Sequence, residues 1–145
     1  MVQVTCANYI VIVLDNIITL QTNSSTEFLS FAARYLVGIN FTFDLTVLSL
    51  GFGGTSDFCV RRDEIETLSS KLSTMYLNLK GKARLEDNDS DAYVEFDMES
   101  GGGLFVSGQV GGSYEDHFVR FKFRTDQTCI PQFLTDFKML LSNSY

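Results

Sequence analysis

The chain has 145 residues, the length of one ordinary domain, and it is 45% hydrophobic and 13% aromatic with a single proline. Such a composition can bury a core and excludes an intrinsically disordered chain. The formal net charge of −7 disfavours nucleic acid as a partner, because an acidic surface repels phosphate groups.

The N-terminal segment and the cysteines indicate the compartment. The first twenty residues contain no basic leader, and their longest apolar run, "YIVIVL", is too short to span a bilayer. Cys6, Cys59 and Cys129 are widely spaced and form no CxxC or zinc-binding pattern, which indicates reduced, buried thiols. We therefore expect a single cytoplasmic domain over residues 1–145, with no metal, no cofactor and no membrane segment.

The first sixty residues predict mainly strands. Residues 9–22 are rich in Ile and Val and predict a strand that breaks near Asp15-Asn16, before a turn at "TNSS". Residues 26–37 fit two structures: Ser24 and Glu27 would form a capping box for a helix, whereas alternating apolar residues favour a strand. "INFTFDLTVLSL" alternates cleanly and predicts a half-buried strand. "GFGGTSD" then predicts a turn, with a short return strand starting at "FCV".

The rest of the chain predicts two helices around a meander. Apolar residues at spacings of three and four predict helices at about 62–78 and 128–142. Between them, "LKGKARL", "AYVEFDM", "LFVSGQV" and "HFVRFKF" alternate, and their connections are too short for parallel crossovers. The predicted fold class is α+β: a mainly antiparallel sheet, made of this four-strand C-terminal meander and the N-terminal strands, with two helices packed on one face.

The meander has one apolar face and one charged face. The charged face is basic, acidic, mixed and basic on successive strands. Opposite charges on adjacent strands stabilise a sheet by about 0.2–1 kcal/mol per facing pair. We expect this face to be mainly solvated, with a docking surface as the alternative.

Acidic residues are concentrated in two connections of the meander. The predicted partner-binding residues are Asp87, Asp89, Asp91, Glu115 and Asp116. The spacing of the first three imitates the start of a calcium loop, but Ala92 and Met98 stand where such a loop requires Gly and Glu. We interpret "DNDSD" as an acidic hairpin turn suited to a basic protein partner, with weak calcium binding as the alternative.

The candidates for catalysis are weak. His117 is the single histidine, so any Ser-His-Asp or Cys-His site would have to use it, and its place at the start of a strand favours a rim position. Cys129, at the start of the last helix, could have a lowered pKa. Neither residue has an obvious catalytic partner in the sequence.

The stretch "TDQT" separates the last strand from the last helix. Its residues are Thr125, Asp126, Gln127 and Thr128. Asp126 or Thr128 can accept a backbone N–H from the first helical turn, and Pro131 is compatible with that turn. We interpret "TDQT" as a structural helix-entry motif rather than an active site.

A family resemblance is carried by residues of the second half, over about 57–141. A helix is followed by the strand pattern L-x-G-x-A-x-L, a glycine-containing meander and F-x-F-x-T-D-Q-T before a final helix. These motif residues are Leu79, Gly81, Ala83, Leu85, Phe121, Phe123 and Thr125 to Thr128. The pattern resembles the WapI-type bacterial immunity proteins and related uncharacterised small bacterial proteins. The resemblance implies a cytosolic, non-enzymatic protein that binds and neutralises a cognate toxin domain, and it implies no catalytic residues.

The leading hypothesis is therefore steric and electrostatic blocking of a basic toxin domain. Two alternatives belong to other classes of protein. One is a homo-oligomeric structural or scaffold protein, for instance a homodimer, that uses the charged face or an open sheet edge. The other is a small-ligand-binding domain or enzyme with a pocket between the helices and the sheet.

Overall fold

The computed structural model describes residues 2–6, 9–112 and 117–144. In chain order its elements are β1 (Val2–Cys6), β2 (Tyr9–Val13), β3 (Ile17–Gln21), β4 (Glu27–Val37), β5 (Asn40–Ser49), β6 (Phe52–Arg61), α1 (Arg62–Asn78), β7 (Gly81–Glu86), β8 (Tyr93–Met98), β9 (Gly103–Gly111), β10 (Phe118–Asp126), a 3₁₀ turn (Gln127–Cys129) and α2 (Ile130–Asn143).

The strands form two antiparallel sheets, and the predicted α+β class is confirmed. The first sheet has six strands in the order β1-β2-β4-β5-β6, with β3 also paired to β4. The second sheet is the predicted meander, in the order β10-β9-β8-β7. The sequence did not indicate that the N-terminal strands would form a sheet of their own, because strand pairing across the chain leaves no local pattern.

The ambiguous segment 26–37 is a strand, and no helix starts at Ser24. Leu29, Phe31 and Ala33 are buried in alternation, as a strand with one face on the core requires. A register shift between Ala33 and Tyr35 then lets Leu36 reach the core. The two halves of this long strand pair with different neighbours, β3 and β2, which explains the predicted break near Asp15-Asn16.

The strand β6 is longer than the sequence predicted. It begins at Phe52, and the turn before it consists only of Leu50 and Gly51, which have positive φ values of 51° and 86°. Two successive residues with positive φ make the type of tight turn that matches the twist of a hairpin. The glycines of "GFGGTSD" therefore lie largely inside a strand, where Gly54 allows the close approach of Val119 from β10.

Aromatic side chains form the centre of the core. Phe31 of β4 contacts Phe43 of β5 and Phe137 of α2, each at 5.6 Å between ring centroids. Phe133 of α2 contacts Phe96 of β8 at 5.8 Å. The helix α2 thus lies between the two sheets and contacts both of them, while α1 packs on β7 and α2. Among the described residues, no helix is long and apolar enough to cross a membrane.

Candidate partner-binding site

The connection between β7 and β8, residues 87–91, is fastened to the first sheet. The carboxylate of Asp87 accepts hydrogen bonds from the backbone N–H of Cys59 at 2.9 Å and of Asp89 at 3.1 Å, and from the Ser90 hydroxyl at 2.5 Å. The N–H of Asn88 donates to the carbonyl of Cys59 at 2.9 Å. Cys59 lies on β6, the edge strand of the first sheet, whereas β7 and β8 belong to the second sheet. These hydrogen bonds therefore connect the two sheets. We call residues 87–91 the acidic ridge.

The three aspartates of the ridge have different environments. Asp87 is 8% exposed, and its oxygens are occupied by the ridge and by β6. Asp89 and Asp91 are exposed to solvent. Asp87 therefore holds the loop, and its role in partner binding stays a prediction. The ridge carboxylates that are exposed to solvent are those of Asp89 and Asp91.

A small acidic cleft lies on one side of the ridge. Its volume is about 150 Å³, and it is lined by Ser56, Asp57, Asp87, Asp89, Ser90, Gly111 and Gly112. Asp57 is directly opposite Asp44 on β5, and Arg34 bridges the two carboxylates at 2.8 and 3.4 Å. Two carboxylates and one guanidinium leave this part of the surface with a negative charge. Asp57 was not among the predicted binding residues, since only the β5–β6 register and the docking of the ridge place it here.

A wider groove lies on the other side, between the ridge and the start of α1. It has a volume of about 520 Å³ and includes Asp63, Glu64 and Glu86 in its lining. Arg61 and Arg84 also line it: Arg61 is paired with Asp63 and Glu64, both at 3.0 Å, and Arg84 is paired with Glu86 at 2.9 Å. The hydrogen bond from Arg61 lowers the pKa of Asp63, so this carboxyl group stays ionised.

Two of the five predicted residues, Glu115 and Asp116, lie outside the described residues. Their segment starts beside the ridge: the N–H of Gly111 donates to the Ser56 hydroxyl at 2.9 Å, and a Cβ built on Gly112 would lie 3.7 Å from that of Asp91. The segment ends at His117, which is exposed. The roles of Glu115 and Asp116 in partner binding stay predictions.

The "TDQT" stretch is a polar corner between β10 and α2. It contacts two other turns, one at Asn23 and one at Gly102. Asp126 accepts the N–H of Thr128 at 2.9 Å and the amide of Asn23 at 3.2 Å, and the Thr128 hydroxyl also donates to it. The hydrogen bonds from Thr128 lower the pKa of Asp126. The N–H of Gln127 donates to the carbonyl of Gly102 at 2.9 Å. These contacts direct the chain from β10 into α2 and leave the Asp126 carboxylate occupied.

The thiols of Cys59 and Cys129 both have a raised pKa, which favours the protonated form. Burial raises the pKa of Cys129 to about 11, and the Sγ–H donates to the carbonyl of Asp126 at 3.1 Å. The expectation of a lowered pKa at this helix start is therefore wrong, because the loss of solvation outweighs any effect of the helix terminus. Burial also raises the pKa of Cys59, and the charge of Asp89 adds to this shift.

In the part of the chain that the structure describes, no three His, Cys, Asp or Glu side chains converge closely enough to hold a metal ion. Asp87, Asp89 and Asp91 are not such a group. Their oxygens either accept hydrogen bonds from the ridge and β6 or point to solvent.

The fold and the ridge define a small α+β protein with an acidic surface at one end of its second sheet. The chain belongs to the immunity protein WapI-like family, whose model matches residues 39–143. The match begins at β5 and contains the ridge and the "TDQT" corner. Comparisons with curated proteins and with solved structures gave no match.

Proposed function

We propose that this chain is a non-enzymatic immunity protein that acts in the cytoplasm and neutralises a cognate toxin domain by binding to it through the acidic ridge. Membership of the WapI-like immunity family supports the role, and the geometry of the ridge supports the surface. Asp89 and Asp91 are presented on a loop that the buried Asp87 holds in place. A fixed loop loses little conformational entropy when a partner binds.

The partner surface that fits this site is basic. Carboxylates outnumber arginines on both sides of the ridge: Asp57 and Asp44 share Arg34 beside the small cleft, and the wider groove has Asp63, Glu64, Glu86 and Asp87 against Arg61 and Arg84. Lysine or arginine side chains of a toxin domain can enter these clefts while its surface covers Asp89 and Asp91. Charge complementarity of this kind acts mainly on the association rate and on the choice of partner. Glu115 and Asp116 are proposed to add to the same surface.

Neutralisation can be tested with the tagged full-length chain as bait in lysate and secretome of the source bacterium, at low and at moderate salt. The captured toxin domain is then expressed with and without the chain. We expect growth to stop with the toxin domain alone and to resume when the chain is co-expressed. A captured protein that does not affect growth, or one that this chain fails to neutralise, contradicts the proposed function.

The surface can be tested separately with charge reversal. Asp89→Lys and Asp91→Lys together are expected to reduce the association rate with the toxin domain at least tenfold, and to weaken rescue of growth. Asp136→Lys on α2 changes the net charge by as much as either single ridge substitution. It is therefore the control for Asp89→Lys alone and Asp91→Lys alone, and it is expected to bind like the unmodified chain. Equal association rates for all variants would leave an immunity role intact but exclude the ridge as its surface.

A further inference from the structure

The exposed face of the second sheet has a charge pattern that changes sign across its strand β9. The strand β9 presents uncharged side chains, β8 presents mainly acidic ones and β10 basic ones. These columns are Phe105 and Ser107 on β9, then Tyr93, Glu95 and Asp97 on β8, then Arg120, Lys122 and Arg124 on β10. Gln109 on β9 is buried and accepts a hydrogen bond from Arg120 at 3.1 Å, so it is not part of the exposed column.

The strand register aligns the two charged columns row by row. Ser107 is paired with Glu95 on one side and with Lys122 on the other. Phe105 is paired in the same way with Asp97 and Arg124. Each carboxylate therefore lies on β8, on one side of β9. A cation lies at the same height on β10, on the other side of β9.

The side chains of this face are available for contact. Lys122 lies over the ring of Phe105 at 4.7 Å and Arg124 at 5.7 Å, so both cations rest on an aromatic ring in the middle of the face. The carboxylates of Glu95 and Asp97 are 35% and 40% exposed. Their ion pairs with β7 are long, at 3.9 and 3.7 Å, and surface pairs of this kind hold a carboxylate only weakly.

We propose that this face is a homodimer interface, with a two-fold axis that runs parallel to β9 and passes above it. Rotation about this axis exchanges the two sides of β9 and keeps the height along the strand. It places Lys122 opposite Glu95 of the second copy and Arg124 opposite Asp97, and each pair occurs twice. The two Phe105 rings meet at the centre of the interface. The charge pattern is thus complementary to itself, as an isologous interface requires.

The dimensions of the face predict a weak dimer. Stacked sheets pack about 10 Å apart with their strands within about 30° of each other, which long side chains such as Lys and Arg can span. Strands of this length, spaced at about 4.8 Å, give roughly 400 Å² per copy, or roughly 800 Å² in total, which is below the range of stable interfaces and within that of weak, transient ones. An axis parallel to the strands also leaves both acidic ridges at the same end of the dimer. The homodimer does not depend on the function proposed for the ridge.

The test is sedimentation velocity of the full-length chain from about 5 to about 500 µM. A salt concentration of about 0.15 M reduces the long-range repulsion between two copies with the same net charge. We expect a shift from monomer to dimer over this range. Lys122→Glu and Glu95→Lys are each expected to weaken the dimer at least tenfold. The double variant Lys122→Glu/Glu95→Lys restores complementary pairs and is expected to dimerise again. Lys138→Glu on α2 is the matched control and should behave like the unmodified chain.

Three results would overturn the proposal. They are a monomer at every concentration, single variants that dimerise as well as the unmodified chain, and a folded double variant that stays monomeric. Circular dichroism and a thermal melt establish that each variant is folded. The second exchange, Arg124→Asp with Asp97→Arg, applies the same test if the first double variant does not fold.

Discussion

The acidic ridge and the "TDQT" corner contain the same local turn. They differ in the other hydrogen bonds that the aspartate of the turn accepts. In each, an aspartate accepts the backbone N–H of the residue two positions later, Asp87 from Asp89 at 3.1 Å and Asp126 from Thr128 at 2.9 Å. Asp87 also accepts the N–H of Cys59 from the other sheet and is nearly buried, whereas Asp126 reaches only the exposed amide of Asn23. One turn therefore connects two sheets, and the other starts a helix.

A charged residue in an acidic loop can therefore be structural while its charged neighbours are exposed to solvent. The buried carboxylate of Asp87 fixes the backbone on which Asp89 and Asp91 are exposed. A series of substitutions in the two turns can separate these roles by their effect on the free energy of unfolding.

The largest effect is expected for Asp87→Ala. It removes the acceptor of three hydrogen bonds and leaves the N–H of Cys59 without that partner, so we expect a loss of about 3 kcal/mol in urea-induced unfolding. Asp87→Asn keeps one acceptor oxygen and should lose about half as much. A loss below about 0.5 kcal/mol for the alanine variant would mean that Asp87 does not hold the ridge.

A smaller effect is expected next to the corner, for Gly102→Ala. Gly102 has φ of 98°, and an added Cβ would collide with the side chain of Gln127. We expect a loss of about 2 kcal/mol by thermal and urea unfolding, most of it from the positive φ, because the amide end of the Gln127 side chain can move away from the added Cβ. Gly101→Ala is the matched control, because its φ is 97° but nothing lies within 4 Å of its Cβ position. Equal losses for the two variants would show that the contact with Gln127 contributes nothing.

Asp126→Ala is expected to cost about 1 kcal/mol at neutral pH, as the loss of a capping residue does. The pKa of Asp126 is lowered in the folded state, so its stabilisation is complete above the ordinary value of 3.8 and is lost as the pH falls through the folded value. The difference between the variant and the unmodified chain should therefore shrink below about pH 4. A difference that stays constant down to pH 2 would contradict this account.

The smallest effect on stability is expected for Asp89→Asn with Asp91→Asn. Both side chains are exposed, so the free energy of unfolding should change by less than about 0.5 kcal/mol. The same variant is expected to bind the toxin domain more slowly, which separates it from Asp87→Ala. A large loss of stability would show that these carboxylates, like Asp87, belong to the structure of the loop.

The sequence alone was sufficient for the features that depend on local pattern. Apolar spacing predicted a helix at about 62–78, and α1 covers Arg62–Asn78. It predicted the last helix from about residue 128, but α2 starts at Ile130 because a 3₁₀ turn precedes it. Alternation identified the four strands of the meander and their buried faces, since side-chain direction in a strand has a period of two. The opposite charges of adjacent strands also predicted the ion pairs of Lys82 with Asp97 and Arg84 with Glu95.

Tertiary structure decided what depends on contacts distant in sequence. Residues 27–37 fit a helix or a strand until pairing with β3, β2 and β5 selected the strand. The acidic ridge docks on Cys59, which precedes Asp87 by 28 residues. This contact buries Asp87 and makes Asp57 part of the acidic surface. Burial raised the pKa of Cys129, against the local expectation for a helix start. Propensity and periodicity act over a few residues, whereas desolvation and sheet register act between segments that only the folded chain brings together.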